Sequence, residues 1–151
     1  MDLNGLLRPD TFIGFLLLFF AVSIIAPLGE ELLFRGFFQQ ILEKYWKDVT
    51  RAVLVTALFF AMIHMNPYWF VQIYILGVIL GFLAWKTKSV IPALILHSMN
   101  NTMAMLFSFV DIEENGFYIF HGHVAPWVIL LALYLLISGF QGIDQSKKQR
   151  R

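Results

Sequence analysis

The chain has 151 residues, 59% hydrophobic and only 14% charged, with a mean hydropathy of +0.72 and a formal net charge of +1. Soluble domains run nearer about 45–50% apolar and about 25% charged, so the composition excludes an ordinary soluble fold and points to a membrane protein. No basic face with interleaved aromatics is present to suggest a nucleic-acid partner, and the absence of cysteine excludes disulfides, thiolate metal sites and cysteine nucleophiles.

A membrane-spanning helix needs roughly 20 apolar residues. Thr11 to Leu28 is the first such run, and it is predicted to close at Pro27 and Gly29. Further apolar segments follow it, so it reads as a retained span rather than a cleaved signal peptide. Glu30 to Tyr45 then continues as a helix, with Leu33, Phe34, Phe37, Phe38 and Ile41 at helical spacing. After the polar link Glu43–Arg51 comes a second span, Ala52 to about Met65, stopped by Asn66-Pro67. The third span, Tyr68 to Trp85, carries Gly77 and Gly81, a small-xxx-small spacing that allows close helix approach and leaves room for a dimer, although oligomeric state is otherwise open. Lys86–Ser89 is a turn, Val90 to Val110 the fourth span, Asp111 to Ala125 a loop with three acids, and Pro126 to Phe140 the fifth apolar stretch. The tail ends in Lys147-Lys148-Gln149-Arg150-Arg151.

With no internal repeat or long linker, one membrane-embedded domain over 1–151 is expected. Its fold class is all-α, a polytopic membrane helical bundle of about five transmembrane segments with a polar site between helices. With five crossings, the basic links and tail fall on one side and the acidic loop on the other, which predicts an external N-terminus and a cytoplasmic C-terminus. The break at Pro27–Gly29 leaves open whether the following segment lies in the interface or folds back.

Ionisable residues inside spans are rare and costly, so each is a candidate for function. Here they are Glu30, Glu31, Arg35, His64 and His97, joined by Asn100 and Asn101. Glu31 and Arg35 lie four apart on one helical face, where they can pair. Glu30 is rotated about 100° from Glu31 and can point elsewhere. Two acids with one arginine leave a carboxylate over, although all three could also form one structural ion network. His64 closes Phe60-Ala61-Met62-Ile63-His64, with the phenylalanine one turn below the histidine. His97 and Asn101 are also four apart, so their side chains should converge. Helix-bridging hydrogen bonds are the alternative reading of both histidines.

Together these residues offer a carboxylate, two imidazoles and an amide on three helices. A carboxylate in an apolar pocket can act as general base, an imidazole can hold the water it deprotonates, and a second imidazole with an amide can donate to a developing oxyanion. Those are the parts for hydrolysing an amide with water as nucleophile. Ser23, Ser98 and Ser108 have no histidine at a spacing that argues for a triad. Glu30, His64 and His97 are also a ligand set that could hold zinc, although HExxH is absent. His121-Gly122-His123 reads as a solvated loop feature beside acids.

The three stretches, Glu30-Glu31-Leu32-Leu33-Phe34-Arg35, Phe60 to His64 and His97 to Asn101, match EExxxR, FxxxH and HxxxN in order. In this the chain resembles the CAAX-protease and bacteriocin-processing (CPBP, or Abi) family of intramembrane proteases, which includes type II CAAX prenyl endopeptidases such as the Ras-converting enzyme. The likeness covers about residues 24–108. It implies a helical core with a buried site in which Glu30 and His64 activate water, His97 and Asn101 stabilise the oxyanion, and Glu31 with Arg35 orients the base. The favoured mechanism it implies requires no cofactor, while a zinc-dependent route stays open. Many members carry more spans ahead of EExxxR, so this is a minimal member or a shortened chain.

The expected function is therefore an intramembrane endopeptidase acting on a membrane-anchored peptide or protein, with a prenylated CAAX-type one among the candidates. A non-catalytic scaffold or immunity-type protein that keeps the polar cluster for packing or peptide binding is the alternative. An ion carrier ranks last, because the third span offers only Gln72 near one end. At 1.5 Å per residue His97 lies roughly 13 Å from Lys88, His64 roughly 20 Å from Arg51, and Glu30 about 21 Å from Lys44, depths compatible with one pocket.

Overall fold

The computed structural model describes residues 11–108, 119–120, 123–124 and 126–149. The first helix, α1 (Phe12–Trp46), is opened by Thr11, whose Oγ1 accepts from the Gly14 N–H at 3.1 Å. It runs through Pro27 and Gly29 without a break, so the segment carrying Glu30 neither closes a span nor folds back. Proline has no N–H and its ring crowds the preceding turn, which in a strict α-helix would kink or end the element. Here Ala21–Ile25 is π-helical, and Ala26 N–H reaches five residues back to Ala21 O. That wider turn, immediately ahead of Pro27, takes up the ring. A second π-helical stretch, Leu32–Phe38, follows, with Gln39 N–H bonded to Phe34 O.

Lys47 ends α1 in the left-handed region (φ 54°), and Asp48 caps α2 (Val49–Ile63) by accepting the Arg51 N–H at 3.0 Å. The Asn66-Pro67 stop holds as expected: Asn66 Oδ1 accepts from Tyr68 N–H at 3.0 Å. Next come α3 (Phe70–Thr87), ended by left-handed Lys88 (φ 57°), and α4 (Ile91–Ser108). A two-residue β pair, β1 (Ile119–Phe120) with β2 (His123–Val124), precedes α5 (Pro126–Gln149). The acids of the 111–118 segment, His121 and the two final arginines lie outside the described residues.

The protein is a helical integral membrane protein, the short β pair aside. Among the described residues, three helices are long and apolar enough to cross a bilayer: Phe12–Trp46, Phe70–Thr87 and the Pro126–Ile143 part of α5. With 15 residues, α2 spans about 22 Å, short of a bilayer core of about 30 Å. At 35 residues α1 is about 52 Å long, so it tilts or emerges from the hydrocarbon. The chain divides into two compact units, Met1–Met105 and Leu106–Arg151.

In the first unit, α2 buries Ala52, Val53, Thr56, Ala57, Phe60 and Ala61 along one face, and α3 answers with Gly77, Leu80, Gly81 and Ala84. Small residues make the approach close. A Cβ built on Gly77 would stand 3.1 Å from Ala57 Cβ and 3.2 Å from Phe60 Cδ1. The Gly77/Gly81 pair thus packs inside the unit instead of presenting a dimer surface. Leu80, Ala84 and Ala93 form the adjoining buried cluster, with Leu76 and Leu96 against it.

Candidate active site

The polar stripe of α1 is the organising element. Glu31 and Arg35, one turn apart, pair as the spacing predicts: Arg35 Nη1 donates to Glu31 Oε1 at 2.7 Å, and both are essentially unexposed (1% and 0%). Arg35 Nη2 donates to the Gly77 carbonyl of α3 at 3.0 Å, and the guanidinium carbon lies 4.3 Å over the Phe60 ring. A guanidinium in an apolar setting is held by such paired bonds and by an aromatic face.

From α4, His97 Nδ1 lies 2.8 Å from the same Glu31 Oε1. A carboxylate only accepts here, so Nδ1 carries the proton and donates. The other ring nitrogen, Nε2, faces Glu30 Oε2 at 3.7 Å. His97 therefore stands between the two adjacent acids, and its burial (2% exposed) gives it little else to bond.

The two acids differ in what they have left. Glu31 is enclosed and shares Oε1 between Arg35 and His97. The Glu30 side chain keeps 26% of its surface accessible; Oε2 of each acid makes no hydrogen bond to a described protein group, so accessibility and the paired Oε1 of Glu31 set the two apart. Glu30 is the acid outside the Glu31–Arg35 pair.

Phe60 is the hub between helices. Its ring centroid lies 4.9 Å from that of His64, 5.5 Å from His97 and 5.3 Å from Phe34, all edge-on. His64, at the exposed end of α2, donates Nδ1–H to the Phe60 carbonyl at 2.7 Å, because a carbonyl can only accept. Its Nε2 is then the lone-pair nitrogen. The described ion-pair contact of Glu30 is with His97 and not with His64.

Asn101 has a partner of its own on α1. Its Nδ2 donates to Val22 O at 3.1 Å, tying α4 to α1 within the first π-helical stretch. Asn100 is exposed and reaches only its neighbour, Nδ2 to Asn101 Oδ1 at 3.4 Å. Among the described residues, no three His, Asp or Glu side chains gather as metal ligands. Glu30, His64 and His97 are not drawn together into such a group. His123 lies in β2, and its side chain is not among those described.

Residue-type patterns single out neither Gln39 nor Phe60 as site-forming on its own. Gln39 is buried and donates Nε2–H to the Gly81 carbonyl at 3.0 Å and to Glu43 Oε1 at 2.8 Å. The signal for it was present, since Glu31, Arg35, Gln39 and Glu43 recur every four residues down α1. A cleft of about 830 Å³ opens against this stripe, lined by Arg35, Gln39 and Lys44 of α1 and by Lys88 and Ser89 at the turn after α3.

The family model described as type II CAAX prenyl endopeptidase Rce1-like matches residues 12–103, which contain every element of this cluster. Among curated proteins, the UPF0177 protein YbdI of Lactococcus lactis subsp. lactis (strain IL1403) is 28% identical over 102 residues, 67% of this chain. The chain spans 54% of the length of that relative. No solved structure matches. Because the family model covers more than half of the chain, with all three polar stretches inside the match, the protein belongs to the type II CAAX prenyl endopeptidase Rce1-like family.

Proposed function

We propose that the protein is an intramembrane endopeptidase that hydrolyses a peptide bond of a membrane-anchored substrate, with water as the nucleophile and Glu30 as the general base. The observation that carries this reading is the contrast between the two adjacent acids: Glu31 is fully enclosed with Oε1 committed to Arg35 and His97, while the Glu30 side chain keeps 26% of its surface accessible, with Oε2 3.7 Å from His97 Nε2. A purely structural ion network has no need of the second carboxylate.

In the proposed reaction Glu30 takes a proton from water as the water oxygen adds to the peptide carbonyl carbon. His64, with Nδ1–H committed to Phe60 O, offers Nε2 as an acceptor that holds the same water. Negative charge develops on the carbonyl oxygen, and His97 and Asn101 are its donors. Donation through His97 Nε2, with Nδ1–H already given to Glu31, requires the ring to carry both protons. Asn101 uses one N–H on Val22 O and has a second to give. Collapse of the tetrahedral intermediate breaks the C–N bond, and the proton on Glu30 passes to the leaving amine. Glu31 and Arg35 orient His97 without touching the reacting atoms.

A prenylated CAAX-type substrate suits this site, since its lipid can remain in the bilayer while the peptide reaches the cluster. The C-terminus is proposed to be cytoplasmic, on the side of the basic links. The alternative, a scaffold or immunity-type protein, draws on the burial of the Glu31–Arg35–His97 network, which would serve packing equally well.

The test is cleavage of a panel of membrane-tethered peptides, prenylated and unprenylated, by wild type and Glu30→Gln, with and without chelator. The expected result is cleavage by wild type that Glu30→Gln abolishes while its thermal melt is kept. Retention of activity by Glu30→Gln sinks the assignment of the base. A wild type that cuts nothing, together with a Glu30→Gln variant that is strongly destabilised, favours the scaffold. Loss of cleavage in chelator, restored by zinc, would replace the metal-free route.

A further inference from the structure

The outer rung of the α1 stripe has no part in the proposed chemistry, yet it is built as carefully as the inner one. Arg35 and Gln39 are one turn apart on α1, and the carbonyls they bond, Gly77 and Gly81, are one turn apart on α3. Four residues rise about 6 Å, so the two bonds form parallel rungs about 6 Å apart. Each carbonyl has a second lone pair available beyond its own helix bond.

Three features make the outer rung specific. An α-helix drifts by about 80° over eight residues, which would carry Gln39 off the line of Glu31. The π-helical stretch Leu32–Phe38 turns less per residue and offsets that drift. Gly81 has no side chain to keep Gln39 away: a Cβ there would stand 2.8 Å from Gln39 Oε1 and 2.9 Å from Val53 Cγ1. Glu43 then accepts the second N–H of Gln39, so both donors are aimed outward from one amide.

From this geometry we infer that Gln39 is a positioning residue of the site: it locks α1 in rotation against α3, so that Glu31 holds His97 between the two acids. One bond through Arg35 would leave α1 free to pivot about it. A second bond a full turn away removes that freedom, and the lock is transmitted through Arg35 and Glu31 to His97 Nδ1. The inference rests on the proposed function for its kinetic part, and its structural part stands apart from it.

The experiment uses the full chain in lipid nanodiscs, with ¹⁵N-histidine labelling to read the His97 Nδ1–H proton bonded to Glu31. Gln39→Met keeps the volume and removes both donors, and Gln39→Lys restores donors to Gly81 O and Glu43. Gln39→Met is expected to move the His97 resonance and lower kcat about 10- to 100-fold with KM little changed, since an angstrom of misplacement has that effect. Gln39→Lys is expected to return both toward wild type. Should Gln39→Met not fold, Glu43→Ala, which removes only the outer acceptor, is read the same way with a smaller effect. An unmoved His97 resonance, or a failure of lysine to rescue, overturns the inference. So does a parallel fall in melting temperature and kcat with His97 unmoved, which would mark packing alone. If wild type cleaves nothing, the proposed function fails while the His97 resonance still decides whether Gln39 positions it.

Discussion

The two halves of α1 follow opposite rules of burial. From Phe12 to Phe20 the helix is apolar throughout, and none of these residues is buried. One helix length further on, Glu31, Arg35 and Gln39 are among the most completely enclosed side chains of the protein. In water this would be an inverted helix. In hydrocarbon, leucine and phenylalanine have no reason to leave the solvent, whereas a polar group that finds no partner is expensive, so polarity drives burial. The N-terminal half is a surface toward lipid, and the C-terminal half is a joint between helices.

The sharpest way to break that contrast is to remove the cation. Arg35→Met leaves the buried Glu31 carboxylate with only His97 beside it and strips a donor from Gly77 O. Losing one partner of a buried pair is expected to destabilise by about 3–5 kcal/mol, read as a fall in melting temperature in nanodiscs. Adding Glu31→Gln to Arg35→Met should recover part of that loss. Simple additivity of the two would refute the reading that the unpaired charge is what hurts.

The next largest effect belongs to the seam that brings α3 within reach. Gly77→Ala forces a methyl to 3.1 Å from Ala57 Cβ, and overpacking of this kind costs about 1–3 kcal/mol. A melt unchanged from wild type would show that α2 and α3 can part without loss. Asn101→Ala removes the single bond from α4 to Val22 O, and about 0.5–1.5 kcal/mol is expected from it. At the small end, Leu17→Ala on the lipid face should stay within about 0.5 kcal/mol, because the residue meets no core. A larger effect there would mean that this half of α1 is covered by protein.

Much of the site was legible from spacing alone. Glu31 with Arg35 and Phe60 below His64 follow from four-residue separation on a helix, where neighbouring turns put side chains in contact whatever surrounds them. His97 with Asn101 shows where that rule stops. Both lie on the face toward α1, but that helix offers a carboxylate to one and a bare carbonyl to the other. Gln39 was overlooked because a glutamine beside a run of polar residues near a helix end looks solvated until the carbonyl of Gly81 is known to be there.

The sequence by itself determined that this is a helical membrane protein, where its apolar segments lie, and which polar residues it carries at a cost. Those are consequences of composition and of periods intrinsic to the helix. Tertiary structure decided the rest. The π turns carry α1 past Pro27, because a wider turn tolerates a missing donor. Glu31 became the enclosed acid because Arg35 and His97 both reached it, and its neighbour Glu30 was left partly accessible. The glycines of α3 turned inward because their exposed carbonyls met Arg35 and Gln39. Each outcome depends on which helix lies opposite, and a residue pattern confined to one helix does not contain that information.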